Sequence, residues 1–193
     1  MANRTGTYIA FDGLGQTDPT KSDFKYYATI QAWAKNKDID FKYVDSHDKT
    51  CAVRDTSLKE TLKARIRERL SNSKNVVVIL SSDTRKSGSM LSYEIEQAID
   101  AYKLPLIIAY VDHNVVANVD QLSGYWPNAL SSRIGNSVAR AIHISFIKDA
   151  ILDAIGQFNI SKLPSTAKSY YSEQAHRNFG VLSLLSSFTN TKK

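Results

Sequence analysis

Residues 57–80 read SLKETLKARIRERLSNSKNVVVIL, and within that stretch the pattern changes from helical to strand-like. Leu58, Leu62, Ile66 and Leu70 form one apolar stripe at helical spacing, with Lys59, Lys63 and Arg67 along a solvated side. Ser57 and Glu60 have the spacing of a capping box, in which the serine accepts from a backbone N–H while the glutamate reaches back. Asn72 and Asn75 are expected to close the helix. The run 76–80 (VVVIL) is apolar throughout, as a central parallel strand covered on both faces must be.

Working outward, 7–11 (TYIAF) reads as a strand ending at Asp12-Gly13, followed by a loop with Gly15 and Pro19. A helix over about 22–35 follows, with Phe24, Tyr27, Ile30 and Trp33 at near-helical spacing. The run 40–44 (DFKYV) alternates like an edge strand, and 45–56 is a polar loop. Beyond the central strand, Ser81-Ser82-Asp83 and a polar loop lead to a helix over 90–102, with Leu91, Ile95, Ala98, Ile99 and Tyr102 on one face. A fourth strand at 104–111 (LPLIIAYV) tolerates Pro105 near its start. After an irregular 112–138 with a short helix near 128–133, a fifth strand at 139–146 precedes a helix over 147–158. This order predicts an α/β, flavodoxin-like, doubly wound five-stranded parallel sheet with helices on both faces. One domain is expected over 1–160, with 161–193 as a C-terminal tail whose apolar run 179–188 (FGVLSLLSSF) suits an accessory helix.

The 193 residues, 42% hydrophobic and 23% charged, have the balance of one globular domain. Cys51 is the only cysteine, so no intramolecular disulfide can form, and a cytoplasmic setting is expected. The N-terminal stretch 1–13 has no apolar run of signal-peptide length and no segment approaches a membrane span, so no membrane association is expected. The net charge of +6 points at first to nucleic acid, but it is not spread over the domain. Segment 54–74 carries seven basic residues against three acidic, segment 156–193 five against one, and the remainder 13 against 15. The excess lies on one helix and the tail, without a recognition helix or strand-borne aromatic motif, so nucleic acid is not expected as a partner.

Sheets of this kind bind ligands at the carboxyl ends of their strands, where Asp12-Gly13, Asp45, 81–83 and the loop before Met90 should converge. Neither a Walker A loop, nor G-x-G-x-x-G, nor G-x-S-x-G is present. His47, His113, His143 and His176 are dispersed, and the His47/Cys51 pair lacks further ligands, so no metal is expected. A receiver-type aspartate site would need a lysine at the end of the fifth strand, and 139–146 has none. Glu94, in Ser92-Tyr93-Glu94-Ile95-Glu96, remains. It is either an ordinary glutamate favoured by the helix N-terminus, or a carboxylate pointing into the cleft. There it would hold ribose hydroxyls and stabilise an oxocarbenium-like transition state.

The segments YIAFDG (8–13), DFKYVDSHD (40–48), RDTSLKETLKARIRERLSNSKNVVVIL (54–80), YEIEQAI (93–99), LPLIIAYVD (104–112) and AIHISF (141–146) resemble the bacterial TIR-like family that includes the NAD-processing subunit of Thoeris anti-phage defence. The resemblance covers roughly the first four fifths of the chain, and its most specific blocks are RDTSL...RERLSNSK and YEIEQAI. It implies a TIR fold and a catalytic glutamate in an aromatic-Glu pair, here Tyr93-Glu94, where many relatives have tryptophan. By the same resemblance Phe11, Asp12 and Gly13 line the nicotinamide side of the pocket and Ser82 sits beside the ribose. The loop from Asp45 to Arg54 mediates assembly or gates the substrate.

In activity, the resemblance implies an NAD glycohydrolase or ADP-ribosyl cyclase that takes NAD as substrate and needs no cofactor. It would self-associate through TIR-like surfaces and release a linear or cyclic ADP-ribose product that diffuses to an effector protein. Two other classes stay open: a catalytically silent interaction module built on loop 45–56 and the basic helix, and a nucleotide sensor that binds without turnover.

Overall fold

The structure, a computed structural model, describes residues 4–15, 18, 20, 22–35, 43–44 and 56–180, with backbone alone for 43–44 and 56–58. The helix-to-strand stretch at 57–80 becomes α2 (Thr56–Ser71) and β3 (Ser73–Leu80). β3 pairs on one side with β1 (Gly6–Ala10) and on the other with β4 (Leu106–Tyr110). With β2 (Tyr43–Val44), β5 (Ala141–Ser145) and β6 (Ser169–Tyr170) they form one parallel sheet in the order β2-β1-β3-β4-β5-β6. The five expected strands are all present, and the residues after 160 contribute the short sixth one by pairing with β5.

Alternation along the strands divides the core into two layers. Tyr8, Ala10, Val76, Val78, Leu80, Leu106, Ile108 and Tyr110 face α2, α3 (Met90–Glu96) and α4 (Asn128–Gly135). Ile9, Phe11, Val77, Ile79, Ile107, Ala109, Ile142 and Ile144 face α1 (Phe24–Ala34) and α5 (Lys148–Gln157). Each fully buried Ile or Leu in these layers stabilises the fold by about 1.5–3 kcal/mol. Both faces of β3 are sealed, which is why its sequence shows no polar alternation.

Two local expectations are corrected. Asn75 does not close α2: it lies in β3, where its Nδ2 donates to the carbonyls of Ile155 (3.2 Å) and Phe158 (2.6 Å) and ties the end of α5 to the sheet. The helix expected over 90–102 changes at Gln97 into a π-helical turn, Gln97–Ala101, closed where Leu104 N–H donates to the Ala98 carbonyl at 2.9 Å. The Ser57 side chain of the expected capping box lies outside the described residues; Glu60 pairs with Lys63 at 2.8 Å. In the tail, a helix the pattern does not mark, α6 (Glu173–Asn178), is capped by Ser172, whose Oγ accepts from Ala175 N–H. From residue 181 the apolar run falls outside the described residues. Among the described residues, no helix is long and apolar enough to cross a membrane.

A buried polar cluster joins β4, β5 and the tail. Trp126 Nε1–H donates to the Tyr110 hydroxyl at 2.7 Å, and that hydroxyl lies 2.7 Å from His143 Nδ1. His143 Nε2 lies 3.0 Å from the Ala167 carbonyl, which can only accept, so Nε2 carries the hydrogen and Nδ1 accepts from Tyr110. Burial is the main cause that pushes the His143 pKa down to about 4, so the ring is neutral and each of its nitrogens is satisfied.

Candidate functional site

At the carboxyl ends of β1 and β3 lies a cleft of about 310 Å³, within the usual size range of small-molecule sites. Leu62 and Ile66 of α2 and Met90 and Leu91 of α3 make its apolar wall, while Phe11, Asp12, Arg85 and Glu94 bring aromatic and charged groups.

The β1 edge is shaped by local backbone chemistry. Phe11 is buried, stacked on Tyr27 (4.9 Å between centroids) and edge-on to Phe24 (5.6 Å). After Asp12 the chain turns sharply, with Leu14 at φ 51° and Gly15 at φ 70°. A left-handed leucine costs about 1–2 kcal/mol. The turn is held by Leu14 N–H donating to Asp12 Oδ1 at 3.0 Å and Ser22 Oγ donating to the Gly13 carbonyl at 3.1 Å.

Asp12 is 2% exposed and meets a complete set of donors. Arg85 grips it through Nε to Oδ2 (2.8 Å), Nη2 to Oδ1 (2.7 Å) and its own backbone N–H to Oδ2 (3.1 Å). Burial pushes the Asp12 pKa up, but the Arg85 hydrogen bonds, the Leu14 N–H and the guanidinium charge outweigh it and hold the carboxyl below its ordinary range. The Arg85 loop is itself anchored. Asp23, buried at the start of α1, accepts from Ser81 Oγ at 2.5 Å and Thr84 Oγ1 at 3.0 Å, and Ser81 N–H donates to Thr84 Oγ1 at 2.9 Å.

Glu94 has the opposite surroundings. It follows Leu91 by three residues and precedes Ile95 on the buried stripe of α3, so its carboxyl faces the sheet. Tyr8, on the β1 face that meets α3, donates its hydroxyl to Glu94 Oε1 at 2.6 Å. Oε2 is buried and has no hydrogen-bond partner among the described residues. No backbone N–H of the helix start satisfies it, so the first-turn reading of this residue does not apply. Burial pushes the Glu94 pKa up to about 8; the Tyr8 hydrogen bond pulls it down, the nearby Asp12 charge raises it further and Arg69 lowers it. With Tyr8 on Oε1, the proton of the neutral acid sits on Oε2, the buried oxygen without a partner among the described residues.

Of the residues named from the sequence, Phe11, Asp12, Gly13 and Glu94 come together in this cleft. Tyr93 does not line it: its hydroxyl lies 2.7 Å from Arg67 Nη1, which donates to it, and Lys63 Nζ sits 5.4 Å over its ring. The helix turns about 100° per residue, so a neighbour of Glu94 cannot share its direction; Met90, one turn back, holds the lining position instead. Ser82 is exposed beyond β3 and its N–H donates to Asp112 Oδ2 at 3.2 Å, away from the cleft lining. Asp45 and Arg54 lie outside the described residues. Tyr8 and Arg85 carry no mark in the sequence pattern as site residues. Tyr8 shares the even-numbered face of β1 with Ala10, which is the one signal that could have directed it toward α3. Among the described residues, no group of three or more His, Cys, Asp or Glu is placed to hold a metal ion.

The model of the family described as "Thoeris protein ThsB, TIR-like domain" matches residues 8–115. The match runs from Tyr8, within β1, through β4, contains every residue that lines the cleft, and stops before β5, short of the four fifths of the chain over which the segments resemble the family. The chain therefore belongs to the Thoeris ThsB TIR-like domain family.

Proposed function

We propose that this Thoeris TIR-like module is an NAD-consuming enzyme, with Glu94 as its catalytic residue. The observation that carries the reading is a buried glutamate with one oxygen fixed by Tyr8 and the other unpartnered among the described residues, in a mostly apolar cleft at the strand ends. The nicotinamide of NAD is a cationic ring, and its ribose becomes cationic as the glycosidic bond breaks. A positive ring beside Glu94 favours the carboxylate over the acid, so binding releases the proton from Oε2. The carboxylate then hydrogen-bonds the ribose hydroxyls and stabilises the oxocarbenium-like charge, while the C1′–N bond breaks and its electron pair leaves with neutral nicotinamide. Phe11, held by Tyr27 and Phe24, adds an aromatic side chain to the cleft lining.

Capture of the sugar by water gives ADP-ribose, and capture by another part of the same molecule gives a cyclic isomer. In either case the product would act in the cytoplasm as a diffusible signal to an effector, with self-association of the TIR-like modules completing the site. Incubating the full chain with NAD, alone and with extract of phage-infected cells, and identifying products by chromatography and mass spectrometry tests the proposal. Nicotinamide together with ADP-ribose or a cyclic isomer, lost in Glu94→Gln, is the expected result. Nicotinamide release undiminished in Glu94→Gln, or no turnover in either condition, overturns it and leaves an interaction or sensing module.

A further inference from the structure

The cleft has a charge order from depth to mouth. Glu94, 5% exposed, lies deep, whereas the Arg85 side chain is 45% exposed at the rim. Among the described residues Arg85 is the only cationic side chain lining the cleft. Its guanidinium is held by Asp12 through Nε and Nη2, which leaves Nη1 without a partner among the described residues. The arginine is thus fixed in direction by one edge while another N–H edge stays available at the rim. A planar fork immobilised in this way loses little side-chain freedom on binding an oxyanion. The Asp23, Ser81 and Thr84 hydrogen bonds keep the preceding turn, and so the arginine backbone, in place. A ligand fitting this order carries positive charge at the end that enters and negative charge at the end that trails.

We propose that Arg85 is a specificity-determining residue: it binds the phosphate of a pyridine nucleotide whose cationic ring lies inward beside Glu94, and so selects nucleotides over phosphate-free ribosides. The proposal rests on the reading of the cleft as an NAD site. Asp12 has a matching role, because its grip neutralises the arginine enough that the pyridinium is not repelled.

Calorimetric titration of the full chain with nicotinamide mononucleotide and with nicotinamide riboside, which differ by one phosphate, tests it without needing turnover. Wild type should bind the mononucleotide about tenfold more tightly, the size of one charge-assisted contact. Arg85→Gln should abolish that difference by weakening the mononucleotide, with riboside binding unchanged or tighter because Asp12 is left uncompensated. Arg85→Lys should retain part of it. The double variant Arg85→Gln with Asp12→Asn, which leaves no unpaired buried charge, should also lack the preference, and this controls for misfolding of the single variant. Equal weakening of both ligands in Arg85→Gln, or a preference that survives it, overturns the role of Arg85 and leaves the NAD reading standing. Failure of wild type to bind either ligand overturns the NAD reading itself, and this proposal with it.

Discussion

Two buried polar clusters sit on the same face of one sheet, and they differ in how completely they are satisfied. In the Trp126–Tyr110–His143 cluster the indole N–H, the hydroxyl and both imidazole nitrogens have partners, ending at the Ala167 carbonyl. In the Tyr8–Glu94 cluster the tyrosine satisfies one carboxyl oxygen, and Oε2 has no partner among the described residues while its side chain lines a cleft. Burial of polar groups alone therefore does not mark a site in this molecule. The closed cluster holds the strands and tail together; the open one keeps an acid with one unpartnered oxygen in an environment that raises its pKa.

The largest effect that separates them is expected from Glu94→Gln, which retains the acceptor for Tyr8 but cannot carry negative charge. Nicotinamide release should fall by about 10²-fold or more, measured by chromatography, while the fold is retained. The same variant carries a signature in stability. Because the folded-state pKa of Glu94 is raised from 4.5 to about 8, the native protein binds this proton more tightly than the unfolded chain, and stability falls as pH rises through that window. Denaturant titrations of wild type and Glu94→Gln between about pH 5 and pH 8 should show a steeper loss in wild type, and parallel slopes would contradict the assigned environment.

His143→Ala probes the closed cluster and should behave in reverse. It removes the link to Ala167 and leaves the Tyr110 hydroxyl without its acceptor, so unfolding free energy should drop by about 2–4 kcal/mol, with the release rate per folded molecule unchanged. A comparable loss of rate would break the division between the two clusters. The smallest effect is expected from Tyr8→Phe, which removes a hydroxyl but little volume. It should lower release by about tenfold at neutral pH and move the acidic limb of the pH–rate profile upward, because the hydrogen bond that favours the carboxylate is gone. A lower rate with an unmoved profile would mean that Tyr8 is only a packing residue.

Much of the fold was legible because its signals are local. The change from a stripe of Leu58, Leu62, Ile66 and Leu70 to an unbroken VVVIL run marks a helix feeding a central strand, and both elements form there, with the strand beginning three residues earlier, at Ser73. Strand-end chemistry brought Asp12 and Glu94 into view for the same reason. What was not legible depends on long-range registry. Tyr8 reaches Glu94 across 86 positions and Arg85 reaches Asp12 across 73, and neither pairing leaves a trace in periodicity. The family resemblance pairs Tyr93 with Glu94 as site residues, but the helical rotation that separates neighbours turns Tyr93 toward Arg67. The π-helical turn at Gln97–Ala101 leaves no mark in the sequence, since the apolar spacing there fits an ordinary helix equally well. β6 takes its backbone partners from the β5 edge, with only two residues in the strand and no alternation to announce it.

The central claim is that a buried acid with a raised pKa must ionise for NAD to be cleaved. The pH dependence of kcat/KM for nicotinamide release tests it most directly, because that parameter reports the groups of the free enzyme. The expected profile rises by about one log unit per pH unit below an inflection at about 8 and levels off above it, set by the Glu94 carboxyl. A rate that is flat from about pH 6 to pH 9, or one that falls as pH rises through that range, would contradict it.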